Sequence, residues 1–257
     1  MNEFKKIGDD PKVLNFLRDI QSLAERGPTE RVEEECPDCD GYGYIVTDND
    51  VRICHCLAER QLRKRLKKAN IPKRYLSKSL ENFKNDTDQR RNALQRVRRY
   101  VKEFDSSSEK GGLFLLGAAG TGKTHLAVAA LKELIEQGHT GLFYNSANLI
   151  RDFRNRVGGS NTEEEKDRLD RLVSVDILVI DDLGVTKLSD FVREQTYSII
   201  DQRYSENKTL IVTSNLNMKE LEEQVTYPVF SRVCGMCSIV NPGDIDFRIG
   251  VSRNKSR

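Results

Sequence analysis

The sequence predicts an α/β fold, in which a parallel sheet carries helices on both faces and a small, cysteine-rich helical module precedes it. Three observations predict this fold. Beyond Gly111, runs that are apolar throughout alternate with longer amphipathic segments, which is typical of strands buried on both faces and joined by helices. A glycine-rich loop joins the first apolar run to a helix. Four of the six cysteines lie in one short stretch, Cys36–Cys56.

The composition of the 257 residues excludes some classes of protein. No apolar run approaches the roughly 20 residues that a membrane-spanning helix needs, so we expect no membrane contact. The first ten residues hold no apolar stretch of a secretory signal, and we expect a cytoplasmic protein with reduced cysteines. The 42 Lys and Arg residues nearly cancel the 40 Asp and Glu residues, but Ala58–Phe104 holds sixteen basic and five acidic ones. That segregation indicates either a solvated face or contact with nucleic acid.

The region before the sheet is predicted to form one domain, residues 1–68, and the rest of the chain a second, residues 69–257. Residues 11–26 have apolar side chains near helical spacing, and Gly27 and Pro28 end the run. This helix either covers a core or docks a partner. Leu57–Asn70 is a basic helix that ends before Pro72.

The elements of the predicted sheet follow in order. The strands are the apolar runs at 111–116, 141–145, 176–182 and 209–215, and the helices between them are Thr124–Gln137, Ala147–Arg156 and Phe191–Tyr204. In an open parallel sheet, ligands bind beyond the carboxyl ends of the strands. Polar residues at those ends are therefore the first candidates for a functional site.

A phosphate-binding loop lies between the first strand and its helix. Its eight residues fit the pattern G-x-x-x-x-G-K-[ST]: Gly117, Ala118, Ala119, Gly120, Thr121, Gly122, Lys123 and Thr124. The glycines let backbone N–H groups surround a phosphate, and the N-terminus of the helix adds positive potential. We expect Lys123 to bind the outer phosphates of a nucleotide and the Thr124 hydroxyl to coordinate Mg²⁺.

Polar residues at the ends of two later strands complete the predicted site. Asp181 can hold the metal through water, and Asp182 can polarise an attacking water, although the two alone could merely cap a turn. Asn215 can orient the same water or cap the next helix. Together with the phosphate loop, these residues favour nucleotide hydrolysis.

The order of these motifs, GAAGTGKTHLA, DILVIDDLG and TLIVTSNL, resembles that of the AAA+ ATPases. More narrowly, it is similar to the bacterial helicase loaders of the DnaC and DnaI type and to the transposon-encoded IstB ATPases. Three features narrow the resemblance: His125 after the phosphate loop, the segment IPKRYLSKSLENF before the sheet, and the ending DDLG. The resemblance covers about residues 70–250 and implies an ATPase that uses ATP and Mg²⁺.

The resemblance implies roles for further residues. His125 joins the nucleotide-binding set, and Arg232 falls where the family places an arginine finger that reaches a neighbouring subunit's nucleotide, which implies self-association. Arg248 matches a sensor-II-like arginine, and the short chain after it implies that the helical lid of many AAA+ proteins is missing. Asp182 stands where most AAA+ ATPases have glutamate, so we expect slow, switch-like hydrolysis that DNA stimulates.

The basic helix at 147–156 resembles the region where these loaders contact single-stranded DNA. Arg151, Arg154 and Arg156 are expected to contact phosphates. Phe153 and Phe191 are candidates for stacking on bases, with core packing as the alternative for both.

The four clustered cysteines predict a structural zinc site. Cys36 and Cys39 form a Cys-x-x-Cys pair followed by a Gly-x-Gly turn, and Cys54 and Cys56 flank His55, which could replace one thiolate. We expect Zn²⁺ on the four cysteines. Its role would be to stabilise a module that docks a partner or DNA.

These features lead to one preferred function and two alternatives. The preferred one is an ATP-dependent loader for the hexameric ring of a replicative DNA helicase, acting in DNA replication and binding ATP and single-stranded DNA. The first alternative is a transposition-helper ATPase of the IstB type. The second is an adaptor that does not hydrolyse nucleotide but changes its conformation when nucleotide binds.

Overall fold

The computed structural model describes residues 36–47, 50–105, 111–157, 170–185, 188–247 and 251–252 of the chain. The predicted helix at 11–26 lies outside the described residues. The chain divides into two compact units, Met1–Gln61 and Leu62–Arg257, and the division falls inside a helix, α1 (His55–Lys68). The domain boundary between residues 68 and 69 stays a prediction. Within the described ranges, no helix is both long and apolar enough to cross a membrane.

In the first unit, the cysteine-rich stretch folds as a turn followed by a hairpin. β1 (Tyr44–Thr47) and β2 (Asp50–Ile53) pair antiparallel, with Tyr44 opposite Ile53. Gly43 precedes β1 with a φ of +80°, a left-handed conformation that glycine adopts at little cost. The hairpin returns the chain to the turn, where Cys54 N donates to Gly43 O at 2.8 Å. The two pairs of cysteines are therefore brought side by side.

The second unit contains the predicted parallel sheet. In the part of the chain that the structure describes, five strands lie in the order β4-β5-β6-β3-β7, and every neighbouring pair is parallel. They are β3 (Gly112–Leu116), β4 (Gly141–Asn145), β5 (Ile177–Asp181), β6 (Thr209–Ser214) and β7 (Cys237–Val240). Two short strands near the end of the chain, β8 (Ile245–Asp246) and β9 (Val251–Ser252), pair antiparallel.

The helices of the second unit connect and cover these strands. They are α2 (Asp88–Lys102), α3 (Lys123–Glu136), α4 (Ser146–Val157), α5 (Asp190–Ser205), α6 (Met218–Val225) and α7 (Tyr227–Met236). The predicted helices match α3, α4 and α5 to within one residue at either end. α3 begins directly after Gly122, which has a φ of +97°, so the last two residues of the phosphate loop form the first turn of the helix.

Helices lie on both faces of the sheet, which confirms the predicted fold class. Successive side chains of a strand point to opposite faces, so Leu113 and Leu115 of β3 enter one apolar cluster and Phe114 enters the other. The first cluster includes α2 and α3, and the second includes α4, α5, α6 and α7. The central strands are continuous apolar runs because both of their faces are covered.

The pattern of apolar runs does not predict β7. This strand lies at the edge of the sheet beside β3, and only Cys237 and Val240 of its four residues are buried. The Cys237 thiol donates to Leu210 O at 3.2 Å and packs the strand against the sheet. An edge strand with an exposed middle lacks the continuous apolar run by which the other strands are recognised.

Candidate functional site

The phosphate loop spans Gly117–Thr124 between β3 and α3, as predicted. Gly120 and Gly122 have φ values of +76° and +97°, which L side chains rarely adopt. Lys123 is buried at the start of α3, and its Nζ donates to Ala118 O at 2.7 Å. The lysine ammonium therefore lies within the loop that its own backbone forms. This is the arrangement expected of a site for nucleotide phosphates.

Asp181, the last residue of β5, lies against the start of α3. Its Oδ1 accepts hydrogen bonds from the hydroxyls of Thr124 and Thr213, each at 2.7 Å. Burial, and then the charge of neighbouring Asp182, raise the pKa of Asp181 above its usual range, while these hydrogen bonds oppose the rise. A buried carboxylate next to a threonine hydroxyl supplies the hard oxygen ligands that Mg²⁺ prefers, so Thr124 and Asp181 fit the predicted metal.

Asp182 and Asn215 lie at the same edge of the sheet. Asp182 has a φ of +57°, and its backbone N–H donates to the Thr213 hydroxyl at 2.9 Å. Asn215 is exposed and does not cap the next helix, since Asn217 forms the capping box of α6 with Glu220. This leaves the Asn215 amide available at the edge of the sheet. From the sequence, Thr213 is one of three polar residues at the end of β6 where a side chain could orient water, but only Asn215 is included in the predicted site.

These residues line one cavity of about 550 Å³. Residues from the phosphate loop, the start of α3 and the ends of three strands meet there: Ala119, Gly120, Gly122, Lys123, Thr124, His125, Asn145, Asp181, Asp182 and Asn215. A cavity of this size suits a nucleotide or another ligand of similar volume. The structure thus brings together residues that the sequence separates by almost one hundred positions.

A further part of the cavity wall comes from the segment before α2. Pro72, Arg74, Tyr75 and Lys78 line it, and the Arg74 guanidinium carbon lies 4.5 Å from the centre of the Tyr75 ring. Sequence reasoning assigned no site role to these residues. All four belong to the segment IPKRYLSKSLENF, which at the sequence level served only to narrow the family resemblance.

His125 joins this wall to α3. Its Nε2 lies 2.8 Å from Ser79 O, so the neutral ring carries its proton on Nε2. Burial, chiefly, lowers the pKa of His125 and keeps the ring uncharged. The ring also packs edge-on against Phe83, with 5.2 Å between the two ring centres. His125 therefore borders the cavity and fixes the position of its wall.

Arg232 is not among the residues that line the cavity. In α7 it pairs with Asp201 at 2.5 Å, donates to the Tyr197 hydroxyl at 3.1 Å and lies 4.8 Å from the centre of the Tyr197 ring. A quarter of its side chain is exposed. Arg248, the predicted sensor-II-like residue, lies outside the described residues.

The candidate DNA-binding residues have different surroundings. Arg151 is exposed on α4 and lies 3.7 Å from the Asp152 carboxylate, whereas Phe153 is buried in the apolar cluster. Phe191 is half-buried against the same cluster. Arg154 and Arg156 belong to α4, and their side chains lie outside the described part. For Phe153, core packing is the alternative that the structure adopts.

A basic cleft adjoins Arg151. Four basic residues, together with Asp152 and Tyr144, border a cavity of about 320 Å³ between the end of α1 and α4: Lys67, Lys68, Arg151 and Arg171. Arg171 Nη2 donates to Lys68 O at 2.8 Å, which ties two segments of the cleft together. Sequence reasoning missed Arg171 because it lies twenty residues after Arg151 in the chain.

The four N-terminal cysteines converge in the first unit. The Cys36 and Cys54 sulfurs lie 3.7 Å apart, those of Cys39 and Cys56 lie 3.4 Å apart, and all four fall within 4.8 Å of one another. Tetrahedral zinc with Zn–S bonds of about 2.3 Å sets its sulfurs about 3.8 Å apart, so the cluster fits the predicted metal. His55 Nδ1 lies 3.7 Å from Cys54 Sγ and 3.3 Å from the Asp38 carboxylate, beside the cluster.

Comparison with known families gives a match over most of the chain. The sequence profile described as IstB-like ATP binding protein matches residues 50–248. The crystal structure of the DnaC helicase loader superposes with a TM-score of 0.61 and 30% sequence identity, over 66% of this chain and 99% of that one. The fold is accordingly that of the AAA+ P-loop proteins.

Two curated proteins are similar in sequence. The replicative helicase loader DnaC of Escherichia coli strain K12 is 33% identical over 155 residues, which are 60% of this chain and 62% of DnaC. The replicative helicase loader DnaI of Bacillus subtilis strain 168 is 25% identical over 242 residues, 88% of this chain and 77% of DnaI. The match thus spans somewhat less than two thirds of the length of DnaC and about three quarters of the length of DnaI.

Proposed function

This chain belongs to the IstB-like ATP binding protein family, and on that premise we propose that it is an ATP-dependent loader of a replicative DNA helicase. In this proposal it binds ATP and Mg²⁺ at the phosphate loop, binds single-stranded DNA and assembles with further copies of itself. The observation that supports the nucleotide site most strongly is the pair of hydrogen bonds from Thr124 and Thr213 to Asp181. The names of the similar proteins DnaC and DnaI support the helicase as partner.

The positions of the cavity residues support a division of roles at the nucleotide. Lys123 would neutralise the outer phosphates, and Thr124 and Asp181 would hold Mg²⁺, which supplies positive charge at the phosphate oxygens. Asp182 would accept the proton of the attacking water, and Asn215 would orient that water. Because Asp182 is shorter than the usual glutamate, the proposed hydrolysis is slow.

Arg232 would act on a second copy of the chain. The Asp201 carboxylate and the Tyr197 hydroxyl hold it in α7, away from its own cavity. A guanidinium that is held in place, on a side chain that is one quarter exposed, suits a γ-phosphate that a neighbouring subunit presents. Self-association through this residue is therefore part of the proposal.

Single-stranded DNA would follow the basic cleft. Four cationic side chains surround this cavity: Lys67, Lys68, Arg151 and Arg171. Among the described residues that line it, Asp152 is the one acidic side chain. Phosphate neutralisation by such residues supplies affinity without reading sequence. Arg154 and Arg156 would extend the same surface along α4, and stacking on Phe191 would require it to leave its half-buried position.

The first unit would dock the helicase. Its four converging cysteines fit structural zinc, and a bound Zn²⁺ would fix the turn and hairpin that the cysteines flank. A transposition helper of the IstB type is the second candidate function. The family match covers the ATPase unit, and at that level it supports the transposition helper as much as the helicase loader. The non-hydrolysing adaptor differs from both in its lack of turnover.

ATP turnover of the full chain, with and without single-stranded DNA, separates the enzyme from the adaptor. We expect slow turnover that DNA raises, and its loss in Lys123→Ala. The matched control is Lys132→Ala, because Lys132 also lies on α3 but donates to Leu76 O and Lys78 O rather than into the loop. Absence of ATP turnover under all conditions would contradict the enzyme and support the non-hydrolysing adaptor.

Capture of the replicative helicase of the same cell by the tagged full chain tests the partner. We expect binding that requires the intact cysteine cluster and is lost in the double variant Cys36→Ser, Cys39→Ser. Failure to bind purified helicase, together with binding of a transposase, would instead establish the transposition helper.

A further inference from the structure

Arg90 is a buried cation that none of the proposed steps uses. It lies in the first turn of α2 with only 4% of its surface exposed. Its guanidinium carbon lies 3.5 Å from the centre of the Phe247 ring and 4.7 Å from that of Phe83. One guanidinium thus contacts two aromatic rings, one from the segment before α2 and one directly after β8.

Both rings and the guanidinium border the phosphate loop. A Cβ at Gly122 would lie 2.6 Å from the Phe83 ring and 3.6 Å from Arg90 Nη2. On the other side of the loop, Phe247 N donates to Gly120 O at 3.2 Å. A Cβ at Gly120 would collide with the Asp246 carboxylate. Asp246 and Phe247 therefore lie directly on the loop, and Arg90 contacts the second of them.

The hydrogen bonds of Arg90 are few for a buried guanidinium. Nη1 pairs with Asp86 at 3.3 Å, and Nε is buried without a hydrogen-bond partner. Burial, chiefly, lowers the pKa of Arg90, and Asp86 opposes this. A leucine or methionine would fill such a space without that desolvation cost. A guanidinium at this position makes cation–π contacts with the two rings, which an aliphatic side chain cannot make.

We propose that Arg90 is a positioning residue, which holds Asp246 and Phe247 against the phosphate loop through the Phe247 ring and so couples nucleotide binding to the position of this segment. The inference rests on the proposed ATP site. A segment held on the loop restricts the conformations of Gly120 and Gly122, so the loop needs less ordering when the phosphates bind.

Coupling of this kind works in both directions. If the held segment favours nucleotide binding, bound nucleotide must favour the held segment by the same free energy. A merely structural Arg90 would stabilise the fold equally with and without nucleotide. Reciprocity is therefore the property that separates the two roles.

A tryptophan probe can follow the segment, because the chain contains no tryptophan. In the variant Phe247→Trp, the single indole would stack on Arg90 in place of phenylalanine. We expect ATP with Mg²⁺ to change its emission and to lower its quenching by acrylamide. Adding Arg90→Gln should raise the quenching before ATP is present and abolish the response to ATP.

Affinity for ATP gives the second measurement, in the full chain with Phe247 intact. We expect Arg90→Gln to weaken ATP binding about tenfold, within the usual range of coupling between sites. Arg90→Lys should recover only part of the loss, because an ammonium keeps the charge but cannot stack as a plane. The matched control is Arg91→Gln, the next residue of α2, whose side chain is exposed and pairs with Asp88.

The two measurements distinguish the failures. Unchanged quenching and unchanged ATP affinity in Arg90→Gln would overturn the positioning role. Loss of melting temperature in Arg90→Gln with normal ATP affinity would also overturn it, in favour of a structural role. If the parent chain binds no ATP but Arg90→Gln still exposes the indole, the proposed ATP site fails, and the contact with the segment stands without the coupling.

Discussion

At the scale of single residues, Thr213 links the two aspartates of the candidate site. Its hydroxyl donates to Asp181 and accepts from the backbone N–H of Asp182. One small side chain therefore fixes both the carboxylate proposed to hold the metal and the backbone of the proposed base. This positioning role is shown by two hydrogen bonds in the structure, and no sequence motif predicts it.

Replacement of Thr213 by valine keeps its volume and removes both hydrogen bonds. We expect Thr213→Val to lower ATP turnover about 10-fold to 100-fold, as is usual for residues that orient metal ligands. The free energy of unfolding should fall by about 1–2 kcal/mol because the Asp182 N–H loses its partner. Turnover assays and urea unfolding measure the two effects. Thr209→Val is the control, since the Thr209 hydroxyl lies in the same strand, buried without a hydrogen-bond partner; equal effects would contradict the prediction.

Asp181 is expected to cost stability at neutral pH. Its folded-state pKa is raised, first by burial and then by Asp182, so the folded protein binds more protons than the unfolded chain. The contribution of Asp181 to the free energy of unfolding then falls as the pH rises through the folded-state pKa. We expect Asp181→Asn to be more stable than the parent at a pH above the folded-state pKa of Asp181, with a difference that shrinks as the pH falls towards the pKa of an ordinary aspartate.

Urea unfolding without nucleotide or Mg²⁺ measures this difference. ATP turnover that depends on Mg²⁺ should be lost in the same variant. The two results together would show that Asp181 lowers the stability of the fold but is required for activity. A variant that is less stable than the parent at every pH would show instead that the charge of Asp181 stabilises the fold.

At the scale of elements, Arg203 of α5 joins segments that the chain order keeps apart. It is completely buried and donates to five backbone carbonyls: those of Leu172, Val173, Val175, Asp176 and Thr209. Burial lowers its pKa to about 10, so the guanidinium stays charged at neutral pH. The chain before β5 and the start of β6 are thereby attached to one helix.

Loss of this guanidinium should be severe. We expect Arg203→Met to lower the free energy of unfolding by about 3–5 kcal/mol, because five carbonyls lose their donor in a buried place. Thermal or urea unfolding gives the value. Arg193→Met, on the same helix with a surface pair to Asp190, should change it by less than about 1 kcal/mol. Similar losses in the two variants would contradict the assigned role.

The cysteine cluster of the first unit leads to a metal prediction. We expect the full chain to carry about one equivalent of zinc and the double variant Cys36→Ser, Cys39→Ser to lose it, because two of the four tetrahedral ligands are removed. Elemental analysis of the purified proteins decides this. Cys234→Ser serves as the control, and a parent chain without zinc would contradict the prediction.

At the scale of the whole molecule, the proposed arginine finger predicts complementation between two inactive variants. Lys123→Ala lacks the phosphate-binding ammonium but retains Arg232, and Arg232→Ala has the reverse defect. We expect each alone to lose turnover about tenfold or more, and their mixture to recover part of it, because one subunit would supply the arginine to the other's nucleotide. Turnover against the mixing ratio measures this. A mixture no more active than its components would argue against a shared site.

The phosphate loop and four of the five strands that the structure describes in the sheet could be predicted because their signals are local. Gly117–Thr124 is contiguous, and the apolar runs need no partner to be recognised. β7 was missed since an edge strand with exposed middle residues has no such run. Arg74 and Tyr75 were missed as wall residues, because only packing decides which side of the cavity a preceding segment reaches.

The sequence by itself therefore determined the parallel sheet, the phosphate loop, the two aspartates and the four cysteines, which are short patterns whose physics acts over a few residues. Only the tertiary structure decided that Thr213 holds both aspartates, that Arg171 joins the basic cleft, and that Arg90 touches Phe247 more than 150 positions away. These contacts join distant parts of the chain. They depend on strand order and helix packing, which no local pattern of residues encodes.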